Sequence, residues 1–347
     1  MKRALIIELW GIGDATMMSS ALQGLLAQGW EITLLAKPQT CVLLKPIYPA
    51  IQMIEFDAPW TVFYGKYRLL SWPWRQIIQV IMQLRLGRFD AAISVRSDPR
   101  DHLLMWLAGV RRRIGFTTRW SRGLLNEPIP ARDPQAHRVE DWWKLQDRVT
   151  GLQEPHFPPR LVAQPDLVQQ FRACFAHDPR PVIALHCGAR IPVRRWPEAY
   201  YRQLILSLRG KFDFQLVLIP DPDGYGTSLQ DLAEQIFPSL TLPELLALLS
   251  CANQLICNDS GPCHLADALG IPVIVFFGPT DPHLFRPFGK QHLVVIRDIC
   301  PLRPCADYCK FPEPYCLTKL TPDTTWPAVE NHLVSQQKIP LKAVTQI

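Results

Sequence analysis

Long apolar runs are missing from the 347 residues. No stretch approaches the ~18–20 residues needed to cross a bilayer, so no membrane-spanning helix is expected. The 48% hydrophobic and 20% charged residues exclude a disordered tail protein, and nothing is collagen-like. Ten cysteines are too dilute for a small disulfide scaffold. No zinc-finger, RNP or helix-turn-helix signature occurs, which sets nucleic acid aside as a partner. No short tandem repeat or low-complexity segment interrupts the chain. The opening Met1-Lys2-Arg3 and the run ALIIELW imitate a leader for a few residues. Glu8 breaks that run and no small-residue cleavage site follows, so a soluble cytoplasmic protein is expected. At roughly 100–200 residues per domain, the length suggests about two domains.

Acidic residues are scarce in one region. The net charge of +6 and pI near 8.8 are mild, and a solvated surface explains them. From Lys66 and Arg68 through Arg111-Arg112-Arg113 to Arg119 and Arg122, however, the basic residues are opposed only by Asp90, Asp98 and Asp101. Such a bias suits an anionic substrate or an anionic membrane surface.

Short aliphatic runs alternate with helical patterns, predicting an α/β protein with parallel sheets. Strands are expected at 4–9, 31–36, 51–56, 89–95 and 112–116, then at 182–186, 214–219, 254–257 and 273–277. Helices are expected after the first strand and near 74–86, 100–108, 197–209, 228–236, 243–251, 262–269 and 321–337. Prolines break the pattern across 151–181, which marks the domain boundary. The expected domains are 1–160 on the acceptor side and 178–320 on the nucleotide-sugar side, with a helix and tail over 321–347. Two doubly wound domains facing a central cleft would place the chemistry in loops after strands.

Three such loops stand out. Trp10-Gly11-Ile12-Gly13-Asp14 resembles half of a dinucleotide fingerprint, but Thr16 occupies the third glycine position. Asp14 reads either as a cap at a helix start or as a general base. His186-Cys187-Gly188-Ala189-Arg190, continuing to Arg194-Arg195-Trp196-Pro197, offers either a diphosphate clamp or a solvated basic turn. Asn258-Asp259-Ser260-Gly261-Pro262-Cys263-His264 ends a strand and starts a helix, where backbone N–H groups favour phosphate. Asp259, being negative, suits sugar hydroxyls instead. His264 alone reads as a structural histidine.

Together these motifs, with GIGDATMMSSALQGL, HCGAR…RRWPEAYYRQL and NDSGPCHLADALGIPVIVFFGPTDPHLFRPFG, resemble the bacterial heptosyltransferases of glycosyltransferase family 9. The resemblance spans roughly residues 5–290. It implies a GT-B fold with two Rossmann-like domains, and inverting, metal-independent heptose transfer from ADP-heptose to a lipopolysaccharide inner-core acceptor. It further implies that Asp14 is the catalytic base and that Gly11, Gly13, Lys66 and Arg68 lie on the acceptor side. Gly188, Ala189, Arg194, Asp223, Asp259, Ser260, Gly261 and His264 would then hold the ADP-sugar donor. Arg194 stands where the family usually has lysine, and Gly188 and Ala189 stand where some members carry hydroxyls. Asp221-Pro222-Asp223 also resembles a metal-binding D-x-D, but neighbouring basic and dipolar groups already supply positive charge.

Two features stay open. Cys300, Cys305, Cys309 and Cys316 lack the C-x2-C pairs of zinc ribbons. They read as reduced thiols or as ligands of a structural zinc or iron. Related protein heptosyltransferases that modify adhesins use a cysteine-ligated iron, so transfer to protein hydroxyls is the alternative activity. A non-catalytic sugar-nucleotide-binding protein is the alternative outside enzymes. The segment from Trp60 to Trp74 reads as an inner-membrane contact, an acceptor wall or a core cover.

Overall fold

The structure, a computed structural model, describes residues 1–342 except 63–65, 119–120, 122, 130–131, 154 and 307. Arg119, Arg122, part of the aromatic stretch after Trp60 and the end of the expected tail therefore lie outside the described residues. The chain forms two units, Met1–Leu161 and Val162–Ile347.

In the N-terminal unit the strands are β1 (Arg3–Glu8), β2 (Glu31–Ala36), β3 (Gln52–Glu55), β4 (Ala91–Ser94), β5 (Arg112–Phe116) and β6 (Glu127–Ile129). Its helices are α1 (Ile12–Ala27), α2 (Pro38–Leu44), α3 (Trp74–Gly87), α4 (Pro99–Leu107) and α5 (Arg138–Thr150). All pairings are parallel, in the order β3-β2-β1-β4-β5-β6. Helices cover parallel strands on both faces, so β1 is almost wholly buried and reads as a continuous apolar run rather than an alternation.

The C-terminal unit repeats this plan. Its strands are β7 (Val182–His186), β8 (Gln215–Leu218), β9 (Gln235–Ile236), β10 (Gln254–Asn258), β11 (Val273–Phe276) and β12 (Leu293–Val295). Its helices are α6 (Pro165–Phe175), α7 (Glu198–Lys211), α8 (Leu242–Cys251), α9 (Gly261–Ala268), α10 (Pro282–Phe285), α11 (Tyr315–Thr318) and α12 (Pro322–Gln336). The sheet order β12-β11-β10-β7-β8-β9 is the same doubly wound order counted from β7. Each sheet therefore has one switch point, between β1 and β4 and between β7 and β10, where ligands of such folds bind. The expected fold of two Rossmann-like units is present.

The core beneath the second switch point is aromatic. Trp196 stacks on Phe276 at 3.9 Å and meets Tyr201 edge-on at 4.8 Å. Its buried indole N–H donates to the Leu320 carbonyl at 2.6 Å, which removes the cost of desolvating it.

One reading is corrected, and one stretch gains an element. The helix expected over 228–236 is a 3-10 segment, Thr227–Leu232, followed by β9. Gly224 and Gly226 hold φ of 87° and 99° and turn the chain there, and edge pairing to β8 captures the remainder. The proline-rich stretch 151–181 contains α6, started by Pro165 and packed through Phe171 and Phe175 on Phe237.

Candidate active site

The loop after β1 carries Trp10 and Gly11, and leads into α1 with Asp14 near its start. Gly11 precedes α1 in extended conformation, and Gly13 and Asp14 lie in the helix's first turn. Glu8 ends β1 and is fully buried. Its Oε1 accepts from the Trp10 backbone N–H at 2.6 Å, whereas Oε2 is buried without a hydrogen-bond partner among the described residues. Burial, reinforced by the Asp14 carboxylate, pushes Glu8 up to about 8, so it is largely protonated at neutral pH.

Around this turn the N-terminal unit gathers buried charge. The guanidinium groups of Arg96, Arg132 and Arg138 lie 5.5, 5.9 and 5.2 Å from the Trp10 ring. Arg96 reaches Asp98 at 3.2 Å and Asp101 at 3.4 Å, and Arg132 and Arg138 share Asp141 at 3.2 and 3.0 Å. Burial raises Asp101 to about 6 against the pull of Arg96, and lowers Arg132 to about 10.

The basic stretch divides into two groups. Arg112 bridges Glu127 and the Arg148 and Val149 carbonyls, and Arg113 binds the Leu124 and Val110 carbonyls. These two hold strands and a helix end together, not an anionic ligand, which corrects the uniform reading of the stretch. Lys66 and Arg68 lie on the loop before α3, with Lys66 5.2 Å from the Tyr67 ring. Their link to the Trp10 network is Arg100, whose guanidinium lies near both Tyr67 and Trp60.

In the C-terminal unit, four neighbouring strands deliver loops to one end of the sheet. Asn258 binds them: its side-chain oxygen accepts from the Trp196 N–H and the Tyr201 hydroxyl, both at 2.9 Å, and its amide donates to the Cys187 carbonyl. Asp259, buried beside it, accepts on Oδ2 from Arg194 at 3.3 Å and from the Thr280 hydroxyl at 2.5 Å. Ser260 caps α9 without a side-chain hydrogen bond to the helix, its hydroxyl donating to the Asn258 carbonyl instead. Gly261 opens the helix and His264 is buried in its first turns.

The two adjacent arginines have different tasks. Arg195 donates to the Ala189 carbonyl at 2.9 Å, meets Asp221 and Asp223 at 2.6 Å each, and covers the Tyr225 ring at 4.8 Å. It is a structural tie that sets its charge against both aspartates. Arg194, part exposed and joined to Asp259, is the arginine that faces the turn before α9.

Gly188 is required by close approach. A Cβ there would lie 2.4 Å from Asp221 Cγ and 2.5 Å from its Cβ. Gly188→Ala is expected to displace the Asp221–Arg195 pair and cost about 1–3 kcal/mol, read as a lower denaturation midpoint in urea.

Among the described residues, no group of three or more His, Cys, Asp or Glu side chains is arranged to hold a metal ion. Cys300 and Cys316 are buried in the apolar core, and the Cys309 thiol donates to the Glu313 carbonyl. Burial pushes the Cys305 thiol up and the Cys316 thiol up to about 11.

Comparison with known proteins agrees with this architecture. The family model described as glycosyltransferase family 9 (heptosyltransferase) matches residues 77–315. Lipopolysaccharide heptosyltransferase 1 of Salmonella typhimurium is 30% identical over 291 residues, covering 73% of this chain and 88% of that protein. Lipooligosaccharide heptosyltransferase 2 of Haemophilus ducreyi is 24% identical over 318 residues, covering 85% and 88%. An E. coli heptosyltransferase solved with ADP-2-deoxy-2-fluoro heptose superposes with a TM-score of 0.69 at 20% identity, covering 95% and 99%.

Proposed function

Because the chain belongs to glycosyltransferase family 9, we propose that it moves heptose from ADP-heptose to an inner-core acceptor of lipopolysaccharide type. The observation that carries this reading is the convergence of Arg194, Asp259 and the start of α9 at the switch point between β7 and β10. The α9 N-terminus offers backbone N–H groups to a diphosphate, Arg194 offers a guanidinium, and Asp259 is suited to a sugar hydroxyl. Gly188, Ala189 and Asp223 border the same end of the sheet on the donor side.

In this reading Asp14 takes the proton from the acceptor hydroxyl as that oxygen attacks the anomeric carbon, and the C–O bond to ADP breaks on the opposite face. Configuration is inverted through an oxocarbenium-like transition state. Negative charge grows on the departing diphosphate, where Arg194 and the helix start oppose it without a catalytic metal or other cofactor. Gly11, Gly13, Lys66 and Arg68 belong to the acceptor side. Action from the cytoplasm at the inner membrane surface goes with an anionic glycolipid acceptor.

Removing the Arg194 guanidinium tests the donor site. Arg194→Ala is expected to weaken ADP binding about 10–100-fold, the worth of a charged hydrogen bond, with Arg194→Lys intermediate. Calorimetry with ADP reads this, and unchanged affinity overturns the clamp. A transfer assay with ADP-heptose against truncated core acceptors, read by mass spectrometry, tests the activity itself.

A further inference from the structure

Helix α3 is apolar on two opposite sides. Ile77, Val80 and Leu84 are buried in the core of the N-terminal unit. A second row, Trp74, Ile78, Met82 and Leu86, is spaced four apart and lies on the outward arc of a helix with about 3.6 residues per turn. These four side chains are 48%, 54%, 62% and 80% exposed, where a helix on a soluble protein carries polar residues. Arg75 and Arg85 fall on the same arc and are exposed. The loop before the helix continues the surface with exposed Leu69 and Leu70.

The charge of this region is one-sided. From Ala58 to Phe89 there is no aspartate or glutamate, but five cations: Lys66, Arg68, Arg75, Arg85 and Arg88. Among the described residues none of the five is in an ion pair. The helix is also firmly anchored. Trp74, Trp72, Trp60 and Phe56 form an aromatic ladder with centroid steps of 5.5, 5.4 and 5.6 Å, from the exposed face into the core. Trp60 donates to Asp101 at 2.9 Å, which joins the ladder to the charged network around Trp10.

We propose that α3 and residues 66–73 before it form a docking face for an anionic phospholipid surface. Trp74, Ile78, Met82 and Leu86 enter the boundary between headgroups and acyl chains, and Arg75 and Arg85 meet the lipid phosphates. A second copy of the chain is a poorer occupant, because a two-fold contact would oppose two acid-free cationic segments. This deepens the membrane-surface part of the functional reading, and its test requires no catalysis.

The test is co-sedimentation with vesicles of phosphatidylcholine alone or with roughly a third phosphatidylglycerol. The wild-type chain is expected to bind the anionic vesicles and to be released as salt rises. Ile78→Glu/Met82→Glu/Leu86→Glu should lower partitioning at least ~10-fold, and Arg75→Gln/Arg85→Gln should remove the preference for anionic lipid. Both variants should keep the wild-type circular dichroism and ADP affinity. Failure of the wild type to bind anionic vesicles, or unchanged binding by the triple variant, overturns the proposal. So does a concentration-dependent dimer that the triple variant loses, which would assign the face to a second copy. Transfer to a soluble truncated acceptor, measured on the same variants, separates the two readings: failed transfer with intact vesicle binding counts against the transferase reading alone.

Discussion

Asp14→Asn is expected to lower kcat by about 10²–10⁴, the usual contribution of a positioned general base, while donor affinity stays within about threefold. The substitution retains the shape and hydrogen-bonding reach of the side chain in the first turn of α1 but removes its capacity to accept a proton. A carboxylate at a helix start also stabilises the helix, by about 0.3–1 kcal/mol. A modest fall in melting temperature would therefore accompany the catalytic loss without explaining it. The measurement is kcat under saturating donor and acceptor, with ADP titrated calorimetrically into the same preparation. If donor affinity falls in step with kcat, Asp14 shapes the loop after β1 and the base must be sought elsewhere.

The fold was largely legible because buried parallel strands write themselves as short aliphatic runs. ALIIE and VIALH sit at the centres of the two sheets, and both were read as strands. The edge strands β6, β9 and β12 were missed. They are two or three residues long, and β6 reads Glu-Pro-Ile, with no apolar periodicity to detect. Helix α5 was missed for a different reason: its capping box uses His137 with Glu140, and histidine is not among the usual cap residues.

Local motifs around the candidate site were legible, whereas partnerships between distant residues were not. Glu8 was visible as a lone charge in an apolar run, but Arg132 and Arg138, paired with Asp141, meet Trp10 only through tertiary packing. Arg194 and Arg195 are indistinguishable in sequence. Geometry alone assigns Arg195 to the two aspartates and Arg194 to Asp259.

Glu8→Gln is expected to stabilise the protein increasingly as pH rises. The folded state lifts Glu8 from 4.5 to about 8, through burial first and the facing Asp14 second, with Asp101 adding to the rise and the Trp10 N–H and Arg96 opposing it. Arg132 also feels the Glu8 charge. The folded protein therefore holds a proton that the unfolded chain releases between about pH 4.5 and 8, and wild-type stability falls across that window. At about 1.4 kcal/mol per pH unit, the deficit approaches the order of 4 kcal/mol by pH 8. Glutamine keeps an oxygen for the Trp10 N–H and cannot ionise, so its advantage should be near zero at pH 4.5 and largest at pH 8. Buried His102 and His186, both lowered to about 4, contribute in the opposite sense below pH 6.5. The difference between the two urea unfolding curves cancels them, and parallel stabilities at pH 5, 6.5 and 8 would refute the assignment. The same proton bears on catalysis. While Glu8 is neutral, Asp14 faces no second negative charge from β1. The pH profiles of kcat/KM for wild type and Glu8→Gln should therefore coincide below pH 7 and separate above pH 8, where the ionised wild-type side chain begins to repel the base.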